Sequence, residues 1–167
     1  TIANYSAHVD QVKVMGDVNG NSVVAWSQRE APNFGYYSLW SSEKTSATDW
    51  SVPSLRENNL YDVKRISLGV DGTGIFTLIW QQPSTIYYAR YTGSWTVSTV
   101  LAPVAITDSL SAAFSSNGEI VAAWTQADNG NGSLYASRFV PTSGWSTEPP
   151  FTTTANTVKH GPLVAVN

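Results

Sequence analysis

The chain has 167 residues, a formal net charge of -3 and no cysteine. A length of this order can bury a core, the slight acidity offers no basic field for a phosphate backbone, and the missing thiols exclude disulfides, thiol nucleophiles and sulfur metal sites. No run approaches the roughly 18 apolar residues needed to span a bilayer, so neither nucleic acid nor membrane insertion is expected.

In chain order, the first element is a run with Val12 and Val14 two apart, the period of a strand with one buried face. The turn Asp17-Val18-Asn19-Gly20 follows, in which Asn and Gly supply positive φ and Asp caps the backbone. An apolar run then ends in Trp26-Ser27-Gln28, the pattern of a strand covered on both faces. A third segment sets Tyr36 and Trp40 four apart around Ser38, with Leu39 on the opposite face, predicted to lie nearer water. A fourth opens at Trp50.

The same order then returns twice. The second unit reads Ile66 and Leu68, the turn Asp71 to Gly74, the run Ile75 to Trp80 with Gln82, Tyr87 and Tyr91 around Ala89 with Arg90 opposite, and Trp95. The third reads Ala112 and Phe114, the turn Ser115 to Gly118, Trp124 and Gln126, Tyr135 and Phe139 around Ser137 with Arg138 opposite, and Trp145. In every unit the first tryptophan stands six positions after the turn glycine and a glutamine two positions after that tryptophan. Ala155 to Val166 matches Ala3 to Val14 in register, so the first strand of a further unit is expected there.

Self-similarity at this period, in short β-patterned runs without a helical period, predicts an all-β fold. The expected architecture is a β-propeller-like array of four-stranded antiparallel blades, about three blades plus the first strand of a fourth. The repeats fall at 8–56, 62–101 and 106–151, with 155–167 opening a fourth. Three blades cannot close a ring. The expectation is therefore a piece of a longer propeller, or a homo-oligomer whose copies complete the ring.

Chemistry-bearing residues are sparse. Glu30, Asp62 and Asp128 are carboxylates with no recurring constellation, and His8 and His160 match each other as repeat equivalents. Asp17, Asn19 and Asn21 place oxygen side chains at alternate positions, as the front of a calcium loop does, although a hairpin turn explains the same residues. No catalytic residue and no cofactor is indicated. The aromatics carry the strongest cue, because Trp and Tyr faces can stack on sugar rings while nearby Arg or Gln bind hydroxyls. Trp50, Trp95 and Trp145, beside turn residues, are the candidate ligand contacts, with Arg90, Arg138 and Tyr88 as partners.

The segment Ile86 to Thr96, following Leu78-Ile79-Trp80-Gln81-Gln82, resembles repeats of the fungal and bacterial fucose-binding β-propeller lectins, and also repeats of large secreted bacterial propeller proteins. The lectin resemblance implies sugar sites between adjacent blades, built from an Arg on the second strand, a Glu on the third and a Trp at a Gly-x-Trp turn. Trp95 and Trp145 match that Trp. The Arg and Glu are not matched, the second strands carrying Val, Thr or Ala and the third carrying Arg90 and Arg138.

The resulting expectation is a non-catalytic binding module for glycan or protein ligands. The abundance of Ser, Thr, Asn, Trp and Tyr over Lys suggests an extracellular or periplasmic location. Two alternatives stand beside it: a fragment of a sialidase-like or other glycoside-cleaving propeller, expected to cluster arginines at the ring centre, and a purely structural repeat domain of a surface protein.

Overall fold

A computed structural model describes residues 8–29, 35–57, 60–103, 106–128, 131–146 and 161–166. All regular structure among them is β, in three four-stranded antiparallel sheets. Blade 1 holds β1 (His8–Gly16), β2 (Ser22–Arg29), β3 (Ser38–Lys44) and β4 (Ser54–Leu55). Blade 2 holds β5 (Arg65–Val70), β6 (Phe76–Gln82), β7 (Thr85–Tyr91) and β8 (Thr99–Pro103). Blade 3 holds β9 (Ile106–Phe114), β10 (Ile120–Asp128), β11 (Asn131–Val140) and β12 (Gly144–Trp145). Strands follow sequence order in each sheet, the up-and-down meander of a propeller blade.

The hairpins that start each blade are set by their turn residues. Asp17 Oδ1 accepts the backbone N–H groups of Asn19 and Asn21, and Asp71 Oδ1 accepts those of Thr73 and Ile75. Gly20, Gly74 and Gly118 close the three turns at φ of 83°, 84° and 86°, a conformation that side chains disfavour. β6 is buried over its whole length, as a central strand with both faces covered should be.

Directly paired residues of an antiparallel sheet share a face, so the registers assign every side chain to one of two sides. On one side of blade 2 stand Ile66, Leu68, Leu78, Trp80, Tyr87 and Ala89. They pack against the small-residue side of blade 1, where Val23, Ala25 and Leu39 are fully buried. The arrangement repeats one blade on: Ile79 and Ile86 of blade 2 meet Ile120, Ala122, Trp124 and Phe139 of blade 3. Each blade thus offers a large aromatic side to its predecessor and a smaller side to its successor. Across the aromatic side, Trp80 stacks on Tyr87 at 5.6 Å and Trp124 on Tyr135 at 6.1 Å.

The first strands lie side by side, β1 next to β5 and β5 next to β9. Gln11 joins two of them, its Oε1 accepting from Ile66 N at 3.1 Å and its Nε2 donating to the Lys64 carbonyl. Residues 161–166 lie against β9, with Val164 N donating to Ser111 Oγ at 3.4 Å.

Several expectations need correction. Val12 and Val14 are 55% and 65% exposed, whereas their equivalents Ile66 and Leu68 are 3% and 7% exposed, because among the described residues no blade covers the aromatic side of blade 1. The partners of Val12 and Ile66 across the sheet are Trp26 and Trp80, and the residue opposite Trp124 is Leu110, so Leu110 and Ala112 are the equivalents in blade 3, two residues before the expected pair. Trp40 lies opposite Trp26 as Tyr87 lies opposite Trp80. Trp40 is therefore the equivalent of Tyr87, and Tyr36 has no counterpart. Leu39, placed near water by the sequence, is completely buried between blades 1 and 2.

Candidate functional site

That shift of four residues in the third strand changes which residue faces the next blade. Glu43 lies opposite Val23, Arg90 opposite Thr77 and Arg138 opposite Val121, so the three occupy one position on the successor-facing side. Trp50, Trp95 and Trp145 are likewise equivalent, because the residue after each is held in the same way. Ser51 N donates to the Glu43 carbonyl, Thr96 N to that of Arg90 and Ser146 N to that of Arg138, at 2.7, 2.8 and 2.8 Å. The hydroxyls of Ser51, Thr96 and Ser146 accept the return bond from the backbone N–H of Glu43, Arg90 and Arg138 at 3.0, 3.0 and 3.1 Å. Each clamp fixes a tryptophan beside the third strand of its own blade.

Between blades 1 and 2 this places Trp95 of the Gly93-Ser94-Trp95 turn against Glu43. The indole Nε1 donates to Glu43 Oε1 at 2.6 Å. The other carboxylate oxygen accepts from Ser51 Oγ at 3.0 Å, and Ser41 Oγ also donates to Oε1. The Arg56 guanidinium stands 5.5 Å from the Trp95 ring centre and the Tyr91 ring 5.4 Å from it. All four side chains are half-buried. Burial pushes the Tyr91 hydroxyl above its ordinary range and the neighbouring Glu43 charge pushes it further, against the opposing pull of Arg56. Burial lowers Arg56, opposed by Glu43 and Tyr91, and its charge survives at any physiological pH. Tyr91 also lines a cleft of 450 Å³, with Asn21, Lys44, Thr73, Phe76 and Thr92 among the other lining residues, a volume in the range of small-ligand sites.

The groove between blades 2 and 3 is filled differently. Arg90 stands where Glu43 stands, and a guanidinium cannot accept a hydrogen bond. Trp145 Nε1 accordingly has no hydrogen-bond partner among the described residues. Arg90 turns to Asp71, 3.4 Å away in its own blade, with its guanidinium 4.9 Å from the Phe139 ring centre of blade 3. Tyr88 and Phe139 close around the Trp145 ring at 5.5 Å each. Arg90 and Arg138 thus each hold a carboxylate of their own blade, and Arg90 reaches the Phe139 ring that packs on Trp145. Arg138 is exposed and bound to Glu119 of its own blade at 2.7 Å. Trp50 is half-buried at the uncovered side of blade 1.

The sequence singled out Trp95 but not Glu43, Arg56 and Tyr91, which the fold sets around it. Aligning the third strands on the residues opposite Trp26, Trp80 and Trp124 would have exposed Glu43 as the odd member of the Arg90 and Arg138 position. The Asp17 set is a hairpin cap: Asn21 Nδ2 donates to Asp17 Oδ2 at 2.7 Å, and Asn21 Oδ1 accepts from Ser46 N at 3.2 Å. Among the described residues no three His, Asp or Glu gather as metal ligands. Asp62 accepts from Tyr37 N at 2.8 Å. Glu30, His160 and the side chain of Asp128 lie outside the described residues.

No family model matches the chain, and no curated protein matches its sequence. Among solved structures it is similar to a mutant of the lectin of Aleuria aurantia in complex with α-methyl-L-fucoside, with a TM-score of 0.54 and 15% identity over 83% of this chain and 44% of the lectin chain. The same lectin mutant in complex with Fucα1-6GlcNAc gives a TM-score of 0.54 and 16% identity over 83% of this chain and 45% of that one. The chain therefore spans less than half the length of the lectin chains it matches, and the likeness establishes an all-β, propeller-like fold.

Proposed function

We propose that this chain is a non-catalytic, extracytoplasmic glycan-binding module of a propeller protein, with the groove between blades 1 and 2 as its combining site. The observation that carries the reading is the convergence of Glu43 from the third strand of one blade with Trp95 from the turn of the next. This is the Glu and Trp pair that the lectin resemblance asks for, with Arg56, from the segment after β4, as the nearby guanidinium. An indole held edge-on by a carboxylate is locked in orientation, and a locked aromatic beside polar groups can stack on the C–H face of a sugar at little entropic cost. A 450 Å³ cleft opens beside Tyr91, the neighbour of the Trp95 ring.

The sialidase-like reading gains no support from Arg29, Arg56, Arg90 and Arg138. Arg29 lies over Tyr37, Arg56 over Trp95, Arg90 on Asp71 and Arg138 on Glu119, each at a different place rather than around one carboxylate. The extracytoplasmic assignment rests on composition.

The deciding experiment is a titration of the chain with L-fucose, D-galactose, N-acetylglucosamine and mannose, followed by tryptophan fluorescence and calorimetry. Binding of at least one sugar that is lost in Trp95→Ala and kept in Trp145→Phe is the expected result. No binding by any sugar, or binding indifferent to Trp95, removes the proposal.

A further inference from the structure

The groove between blades 1 and 2 holds more positive charge and more hydrogen-bond donors than its own residues use. The carboxylate against Trp95 is Glu43, and both its oxygens already accept hydrogen bonds. Oε1 takes the Trp95 indole N–H at 2.6 Å and the Ser41 hydroxyl, and Oε2 takes the Ser51 hydroxyl at 3.0 Å. Two cations stand in the same groove. Arg56 lies over the Trp95 ring, and its Nε is buried with no hydrogen-bond partner among the described residues. Lys44 lines the 450 Å³ cleft together with Tyr91. It is half-buried and takes part in no ion pair among the described residues.

The walls of the cleft do not correct the imbalance. Asn21, Thr45, Thr73 and Thr92 line it beside Ile75 and Phe76, and no Asp or Glu does. Asp17, whose Oδ2 lies against Gly74, is already committed to the backbone N–H groups of Asn19 and Asn21 and to Asn21 Nδ2. The Asn21 side-chain oxygen accepts from Ser46 N. An ammonium donates and cannot accept, so what completes Lys44 is an acceptor from outside the chain. The chain as a whole carries a net charge of -3, so an anion is drawn to this groove by local side chains rather than by a general field.

We infer that the groove takes an acidic sugar, a hexuronate or a sulfated hexose, with its anionic group on the Lys44 ammonium and Arg56 adding to the positive potential. This rests on the glycan function proposed above and narrows it to one chemical class. A charged acceptor gives Lys44 the stronger kind of hydrogen bond. A neutral hexose would strip water from the ammonium and return no counter-charge.

Calorimetry on the whole chain should show D-glucuronate and D-galacturonate binding about tenfold more tightly than D-glucose and D-galactose, the scale of one hydrogen bond to a charged group. The advantage should shrink as salt is added. Galactose 6-sulfate tells a demand for negative charge, if it binds like galacturonate, from a demand for a planar carboxylate, if it binds more weakly, and either result upholds the inference. In Lys44→Gln the acidic and neutral members of each pair should bind alike, and Lys44→Arg, which restores the charge, should restore the preference. Lys44 has no ion pair to lose, so the urea midpoint of Lys44→Gln should match the parent's, and the salt dependence of the parent chain stands as a test in its own right.

Equal affinity for acidic and neutral sugars in the parent chain, or an acidic preference that survives Lys44→Gln, would overturn the inference and leave the glycan function standing. Acetate or triglutamate binding as tightly as glucuronate would overturn it in favour of an unspecific anion site or an acidic peptide. Absence of binding by every sugar removes both proposals. Acidic binding that is lost in Lys44→Gln but kept in Trp95→Ala would uphold the acidic ligand and take Trp95 out of the site.

Discussion

Gly69 of blade 2 lies directly under the ring of Phe114 of blade 3: a Cβ added to Gly69 would stand 2.0 Å from Phe114 Cγ. Gly69 is opposite Thr77, on the successor-facing side of blade 2, and Phe114 ends the first strand of blade 3 on its aromatic side. The blade contact is thus keyed by a large residue entering the space of a missing side chain.

Gly69→Ala should therefore destabilise the chain by about 1–3 kcal/mol through overpacking. Phe114→Leu in the same chain should recover part of that loss, as coupled neighbours do. Urea unfolding of the two single variants and the double variant measures both effects. Additive losses would mean that the ring and the missing Cβ do not compete for one space.

Glu43 should be the charge that holds Tyr91 high. Burial alone would keep the phenol above its ordinary value of about 10, but the adjacent carboxylate adds to the effect. Glu43→Gln should let Tyr91 ionise at lower pH than in the parent chain, read by ultraviolet difference spectra with Tyr91→Phe identifying the signal. An unchanged titration would place the Glu43 charge elsewhere than beside the phenol.

The hydroxyl clamps behind the tryptophans should be worth about 0.5–1.5 kcal/mol each, the net value of one hydrogen bond. Blade 2 lacks one strut of the clamp: Ser42 Oγ donates to the Ser51 carbonyl at 2.7 Å and Ser137 Oγ to that of Ser146, while Ala89 has nothing to donate. Thr96→Val, which deletes the hydroxyl of the clamp with the fewest supports, should loosen Trp95 and quench its fluorescence anisotropy more than Ser51→Ala does for Trp50. Equal effects would show that the backbone bonds alone orient the ring.

The contrast between what was and was not legible follows from how repeats encode geometry. Trp26, Trp80 and Trp124 stand at one spacing from their turn glycines because a hairpin of fixed length leads into a central strand. Blade count, strand order and turn positions could be read from that alone. The link from second to third strand varies in length between the units, so counting along the chain lost register there, and with it Glu43. Cross-strand pairing restores that register, and no period in the sequence carries it. Arg56 was hidden for another reason. It sits after a two-residue strand and reaches Trp95 only because the next blade folds over it.

Asp17 gives the fold a dependence on acid. Burial acts to raise its carboxyl, but hydrogen bonds from the Asn21 side chain and backbone and from Asn19 outweigh it and hold the group below the ordinary carboxylate range. An acid depressed in the folded state contributes its stability above the unfolded value, about 3.9, and loses it as the pH falls through the folded value. Asp17→Asn keeps an oxygen acceptor for the two backbone N–H groups and removes the charge. It should be less stable than the parent at pH 7, with the gap between the two urea midpoints closing as the pH falls below about 4. Asp17 Oδ2 also marks the place that a Cβ on Gly74 of blade 2 would approach to 2.9 Å, so the turn cap of one blade touches the turn of the next. A gap between the midpoints that stays constant down to pH 2 would mean that hydrogen bonding alone, without ionisation, sets the value of Asp17 to the fold.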